Sequence, residues 1–371
     1  MDNARALAEK LLRKADIQIG GTRPGDIRIH DERVFSRVLG GGTLALGEAY
    51  MDGWWDSNAL DVFFTKALSA HLERELRFSF PTIIAVTKGF VLNAQSRTGA
   101  RKVAEEHYDL STELYTSFLD PYNQYTCGYF KDTDDLNVAQ EQKLDLICRK
   151  LRLTSGDRVL DIGCGWGGFS KYAAEHYDVH VTGITISKEQ LAYAKEYTKD
   201  LSIELRFQDY RDLEGVFDKV LICGMVEHVG FKNYRTIMEV VHKHLSDDGL
   251  FLLHTIGQNQ SYTTGEAWMS KYIFPNSMIP SLVQLTKAFE GLFVLEDMHN
   301  FGIYYDKTLM AWFSNFEKAW PKLEGKYDER FYHMWKYYLL SMAGFFRSRN
   351  AQLWQFVFSK DGLPGGYESV R

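Results

Sequence analysis

The chain has 371 residues, above the size at which one hydrophobic core usually stops growing, so two domains are the default expectation. Hydrophobic residues at 45% and charged residues at 25% exclude a disordered or collagen-like chain. Lys and Arg total 43 against 49 Asp and Glu, a net charge of -6; no overall basic footprint for nucleic acid exists, and attraction to an anionic membrane must be local.

Four cysteines, Cys127, Cys148, Cys164 and Cys223, form neither a CxxC pair nor a disulfide framework, which points to reduced thiols. The opening MDNARALAEKLLRKADI has an amphipathic helical pattern broken by charge, unlike a signal-peptide core. Nowhere do about 18 apolar residues run uninterrupted, so the expectation is a chain neither exported nor membrane-spanning. The apolar stretch from Pro81 to Leu92 is short and carries Lys88, and reads as a core or interfacial helix.

From Met1 to about Arg97 the pattern is helical, with a Gly-rich break at Gly40, Gly41 and Gly42. Leu60, Phe63, Phe64, Leu68, Leu72 and Leu76 fall at helical spacing, with His71, Glu73, Arg74 and Arg77 on the other face. That face packs in a core or touches lipid. The polar run Gln95-Ser96-Arg97-Thr98-Gly99 marks a boundary, giving a mainly helical N-terminal domain, 1–97, and a larger domain, 98–371.

From Arg158 short apolar strands alternate with helices, the signature of an α/β fold with a mostly parallel, doubly wound sheet. The predicted strands are 158–162, 180–184, 203–207, 219–223 and 250–254, with a helix near Asn233 to Leu245 before the last. The aromatic-rich part from Tyr272 onward is expected to supply later strands and a helical cap.

Asp161-Ile162-Gly163-Cys164-Gly165-Trp166-Gly167-Gly168 follows a predicted strand and opens a helix, matching G-x-G-x-x-G. A nicotinamide site would place a carboxylate at the end of the second strand to bind ribose. Here that strand ends Gly183-Ile184-Thr185-Ile186-Ser187. The D-x-G-C-G-x-G form instead resembles the first motif of S-adenosylmethionine methyltransferases, where missing side chains let backbone approach the cofactor. The ribose acid common in those enzymes is also absent; Thr185, Ser187 and Gln190 have hydrogen-bonding groups to take its place.

Six segments, in order, carry a more specific resemblance. They are Glu106-His107-Tyr108-Asp109-Leu110-Ser111, Gln124-Tyr125-Thr126-Cys127-Gly128-Tyr129-Phe130, Gly183 to Ser187, Gly224-Met225-Val226-Glu227-His228-Val229-Gly230, Leu253-His254-Thr255-Ile256-Gly257 and Asn300-Phe301-Gly302-Ile303-Tyr304-Tyr305. With the glycine loop among them, the chain resembles cyclopropane-fatty-acyl-phospholipid synthases, relatives of the mycolic acid cyclopropane synthases. Leu46 to Trp55 resembles the extra N-terminal domain of the bacterial phospholipid enzymes, so the likeness is nearly full length.

The resemblance implies a Rossmann-like class I methyltransferase domain that transfers methylene from S-adenosylmethionine to the cis double bond of phospholipid acyl chains. It implies cofactor contacts by Tyr125, Thr126, Asp161, Gly163, Gly165, Thr185, Ile186, Ser187, Gln190 and Tyr210. A lipid-presenting role for 1–97 is expected, in a cytoplasmic protein that visits the inner membrane face; a homodimer is left open, and neither metal nor nucleic acid is expected.

An alkene attacked by a sulfonium methyl gives a methylated carbocation that must lose a proton from the new methyl, so a base is needed within reach. The resemblance implies bicarbonate in that role, held by Glu227, His254, Tyr305 and backbone near Cys127 and Ile256. Taken singly, each residue has a plainer reading: Glu227 as a helix cap, His254 and Tyr305 as core, Cys127 as a buried thiol. Where many relatives place a cysteine in the late Tyr-Tyr-Leu segment this chain has Met342, so no nucleophile is assigned there. An acyl C-methyltransferase without ring closure is the nearest alternative; a non-catalytic lipid binder is a more distant one.

Overall fold

In the computed structural model, residues 2–72, 74 and 111–371 are described. The expected boundary after Arg97, the stretch from Pro81 to Leu92 and the segment Glu106 to Leu110 lie outside them.

In chain order the elements begin with α1 (Asp2–Lys14), β1 (Ile27–Ile29), α2 (Arg33–Met51), β2 (Trp55–Ser57), α3 (Leu60–Ser69), α4 (Thr112–Phe118) and α5 (Leu136–Lys150). There follow β3 (Arg158–Ile162), α6 (Gly168–Tyr177), β4 (His180–Thr185), α7 (Lys188–Tyr197), β5 (Ile203–Phe207), β6 (Phe217–Cys223), α8 (Tyr234–His244) and β7 (Leu245–Gln258). The last are α9 (Ala267–Tyr272), α10 (Leu282–Phe289), β8 (Val294–Asn300), α11 (Ile303–Leu323), α12 (Glu329–Arg347) and β9 (Ala351–Ser359). They fall into two compact units: Met1–Asn93 with Thr263–Ser277 and Tyr305–Ala351, and Ala94–Tyr262 with Met278–Tyr304 and Gln352–Arg371.

The second unit is built on a seven-stranded sheet in the order β5-β4-β3-β6-β7-β9-β8. The pairs β3–β4, β3–β6, β4–β5 and β6–β7 are parallel, and β8–β9 is antiparallel. Successive residues point to opposite faces, and both faces are covered, which is why these strands read as continuous apolar runs. Leu160, Ile162, Val220 and Ile222 pack with Ile237, Met238 and Val241 of α8 and Leu285 of α10. On the other face Val159, Val181 and Leu221 pack with Leu144 and Ile147 of α5 and Phe169 and Ala173 of α6. Each such side chain contributes about 1.5–3 kcal/mol on burial. The sheet is thus fixed from both sides, and its strand ends are stable platforms.

Predicted and observed strands agree closely, except that β6 starts at Phe217 and β7 runs from Leu245 to Gln258. His254 therefore lies inside its strand rather than ending it.

In the first unit α2 continues through the glycine run that reads as a break. Only Gly42 leaves helical geometry, at φ +63°, and the helix kinks and resumes to Met51. β1 and β2 add a small antiparallel ladder, Ile27 opposite Ser57 and Ile29 opposite Trp55, to a unit the sequence suggests is mainly helical. Arg347 of α12 binds both Asp306, at 2.8 and 2.9 Å, and Asp61 of α3, at 2.7 Å, tying the late helices to the early ones.

Candidate active site

β3 delivers the chain to Gly163, whose N–H and that of Cys164 donate to the Ile184 carbonyl of β4 at 2.9 and 3.1 Å. Gly163 has φ +82°, and a Cβ there would lie 2.9 Å from Met225; conformation and space both require glycine. Gly165 has φ +55°, but a Cβ there would meet nothing within 4 Å. One glycine shapes the loop, and the other leaves an open approach to its backbone. Asp161 is buried at the end of β3 and accepts from Ser170 of α6 at 2.8 Å. Burial pushes its carboxyl up to about 7, against the opposing pull of Ser170 and Lys143.

Thr185 ends β4, and its hydroxyl accepts from the Ser187 N–H at 3.1 Å. The Ser187 hydroxyl caps α7 through Gln190 N–H at 3.3 Å, while Thr185 donates to Gln190 Oε1 at 3.3 Å. All three are buried, and the half-buried Ile186 sits between them. Tyr210 lies in the one-turn helix 210–212, with the Arg211 guanidinium 4.6 Å from its ring centre.

The segment 120–127 is fastened at several points. Asp120 accepts from the N–H groups of Tyr122 and Gln124 at 2.8 Å each. From α5, Gln140 donates to the Thr126 carbonyl at 2.8 Å. The fully buried Lys143 reaches Gln124 Oε1 and, at 2.9 Å, the Thr126 hydroxyl. Thr126 also accepts from Cys223 Sγ, at the end of β6, at 3.8 Å. Tyr125 packs edge-on against Tyr115 at 5.2 Å, and Tyr115 against Trp166 of the glycine loop at 4.9 Å. Cys127 is fully buried, with its thiol donating to the Gly128 carbonyl at 3.3 Å.

β6 ends at Cys223, opposite His254, while β7 runs on. The Gly224 N–H donates to the His254 carbonyl at 2.9 Å; beyond it β7 leaves β6, and among the described residues its next backbone pairing on that side is the bridge of Gln258 with Ser281. Glu227, in the turn Val226–His228, fills the gap between them: its Oε1 accepts from the Ile256 N–H at 2.7 Å. The plainer reading of Glu227 as a helix cap is therefore not what the contact shows. Its Oε2 is buried and without a hydrogen-bond partner among the described residues. Burial pushes the carboxyl up to about 7 despite the opposing pull of the backbone donors and the Thr255 hydroxyl. His254 is 1% exposed, and its Nε2 is likewise buried without a partner. Burial first, then the charges of Lys143 and Lys150, hold its imidazole well below the usual range, so the ring is neutral.

These elements bring Glu227, Ile256 and His254 to the end of β6 and β7, with Thr126 beside Cys223. Tyr305 falls in the first compact unit, where it is buried and stacked on Phe346 at 4.2 Å. The sequence reading passed over Lys143, Gln140, Asp120 and Gln355. Gln140 and Lys143 did leave a signal, two polar residues three apart on the buried, mostly apolar face of α5.

Residues 95–356 match the family model for mycolic acid cyclopropane synthetase. The chain belongs to that family. Cyclopropane-fatty-acyl-phospholipid synthase of Escherichia coli strain K12 is 48% identical over 370 residues, all of this chain and 97% of that protein. A probable fatty acid methyltransferase of Pseudomonas putida is 36% identical over 73% of this chain and 72% of its own length. Among solved structures, cyclopropane synthase MmaA2 from Mycobacterium tuberculosis aligns with a TM-score of 0.65 and 28% identity, over 70% of this chain and 98% of that one. Mycolic acid cyclopropane synthase CmaA1, complexed with SAH and CTAB, gives 0.65 and 29% over the same shares. Coclaurine N-methyltransferase, at 22% identity and a TM-score of 0.70, speaks for the fold alone. The fold is that of class I S-adenosylmethionine methyltransferases, and this member of the cyclopropane synthetase family is an S-adenosylmethionine-dependent enzyme of cyclopropanation.

Proposed function

We propose that the enzyme adds a methylene group across the cis double bond of unsaturated phospholipid acyl chains at a membrane surface, with bicarbonate accepting the proton lost on ring closure. The observation that carries the bicarbonate reading is the pair of buried, unpartnered polar atoms Glu227 Oε2 and His254 Nε2. A buried polar atom without a partner costs about 1–3 kcal/mol, and a small anion with its own proton satisfies both. No helix among the described residues is long and apolar enough to cross a membrane.

When bound, S-adenosylmethionine supplies an electrophilic methyl, and bicarbonate a base beside it. The loop around Gly165 and the segment of Tyr125 and Thr126 hold the cofactor, and Lys143, Gln140 and Asp120 hold that segment. Transfer of that methyl to the lipid double bond would break its bond to sulfur and leave positive charge on the lipid, so a proton acceptor has to be held beside Glu227. Loss of a proton from the new methyl then lets its electron pair close the three-membered ring. Glu227, fixed through Oε1 by Ile256, aims Oε2 at the anion and accepts its proton in a hydrogen bond.

The test is to incubate the full chain with S-adenosylmethionine and vesicles of unsaturated phospholipid, then weigh the fatty acids. A gain of one CH2 with loss of the double bond is expected. A methyl branch with a double bond retained would replace this reading by acyl C-methylation, which the likeness to the Pseudomonas protein keeps in view.

A further inference from the structure

His254 makes its one described side-chain hydrogen bond on the ring nitrogen that does not carry the orphaned site. Its Nδ1 lies 3.2 Å from Nε2 of Gln355, on β9, the strand beside β7. Both residues are buried, at 1% and 0% exposure. A neutral imidazole has one N–H and one lone pair, and an amide NH2 only donates. As placed, the amide NH2 faces Nδ1, which makes that nitrogen the acceptor and puts the ring proton on Nε2; the amide turned over would accept from Nδ1–H instead, so the protonated ring nitrogen distinguishes the two.

Gln355 is an unexpected residue where it stands. All nine residues of β9 are buried, and an amide buried without a hydrogen bond costs several kcal/mol. Its Oε1 has no partner among the described residues, so the amide's described bond is the one to His254. Such a bond on one ring nitrogen fixes what the other can do.

We propose that Gln355 is a positioning residue that locks His254 as the Nε2–H tautomer, so that the imidazole donates a hydrogen bond to the anion beside Glu227 and is not itself the base. The anion in this statement rests on the bicarbonate reading above; the tautomer does not. A ring whose Nε2 carries a hydrogen has no lone pair there to receive the proton lost in ring closure. Glu227 and His254 then divide the work, one accepting from the anion and the other donating to it.

The test uses the full chain labelled with nitrogen-15 in the imidazole rings, with the His254 signals assigned by loss in His254→Ala. The expected spectrum shows Nδ1 unprotonated and Nε2 protonated across neutral pH. Gln355→Met, close in volume but without a donor, should shift the Nδ1 signal toward that of a free lone pair. It should also raise the bicarbonate concentration for half-maximal activity about five- to tenfold, as expected for one weakened hydrogen bond, with S-adenosylmethionine affinity unchanged by calorimetry. A protonated Nδ1 in the unaltered protein overturns the proposal whether or not the variant folds. So does a Gln355→Met protein with unchanged Nδ1 signal and unchanged bicarbonate dependence. If the unaltered enzyme needs no bicarbonate at all, the anion reading fails by itself, and the Nδ1 signal still decides the tautomer.

Discussion

The ammonium of Lys143 lies 2.9 Å from the hydroxyl of Thr126, placing a fully buried cation directly under the segment that carries Tyr125 and Cys127. Burial lowers its pKa, yet it stays hydrogen-bonded to Gln124 as well. Lys143→Met should leave Gln124 Oε1 without this donor, costing about 1–3 kcal/mol and loosening the segment. Calorimetry should show S-adenosylmethionine binding weakened about tenfold or more. Unchanged binding in a folded variant would remove the segment from the cofactor site.

The two loop glycines should part company. Gly163→Ala meets Met225 as well as an unfavourable φ, so its cost should appear as lost stability in the cofactor-free protein. Gly165→Val, with open space around its Cβ and a backbone penalty of about 1–2 kcal/mol, should show a loss of S-adenosylmethionine affinity much larger than its loss of stability. Denaturant melts and calorimetry on both variants compare the two, and equal effects would contradict the assignment.

Much of the second unit was legible because short continuous apolar runs and a strand–glycine–helix junction are local features. The first three predicted strands match β3, β4 and β5 to within a residue. The end of β7 was not legible, because Thr255 to Gln258 extend past their β6 neighbour and are held instead by the Glu227–Ile256 bond and the pairing of Gln258 with Ser281. Nor was the make-up of the first unit. Gly344 packs against Phe64 and Thr65 with no room for a Cβ, a contact between residues far apart in sequence that no spacing announces. The roles of Glu227 and His254 came from the resemblance, and their orphaned atoms from the structure. The role suggested for Tyr305 rests on the resemblance alone.

Asp161 gives a pH signature. Its ordinary value of 3.8 rises to about 7 in the fold, so between those values the unfolded chain has released a proton that the folded protein keeps. Its stability contribution is fully present below about pH 4 and is lost as pH rises through 7. Asp161→Asn keeps an acceptor for Ser170 and removes the titration. The unfolding free energy of the unaltered protein minus that of the variant should fall by a few kcal/mol from pH 4 to pH 8. A flat difference would mean that Asp161 ionises normally.

The account turns on Glu227 as the residue that aims a bound bicarbonate rather than taking the proton of ring closure itself, and turnover on unsaturated vesicles with dissolved carbon dioxide removed tests this most directly. The unaltered enzyme should lose most of its activity and regain it on adding bicarbonate. Glu227→Gln, which keeps the shape of the side chain and its bond from Ile256, should be rescued poorly while still binding S-adenosylmethionine. Full activity of the unaltered enzyme in rigorously bicarbonate-free buffer, with no carbonate retained on the protein, would contradict the account and return Glu227 to candidacy as the direct base.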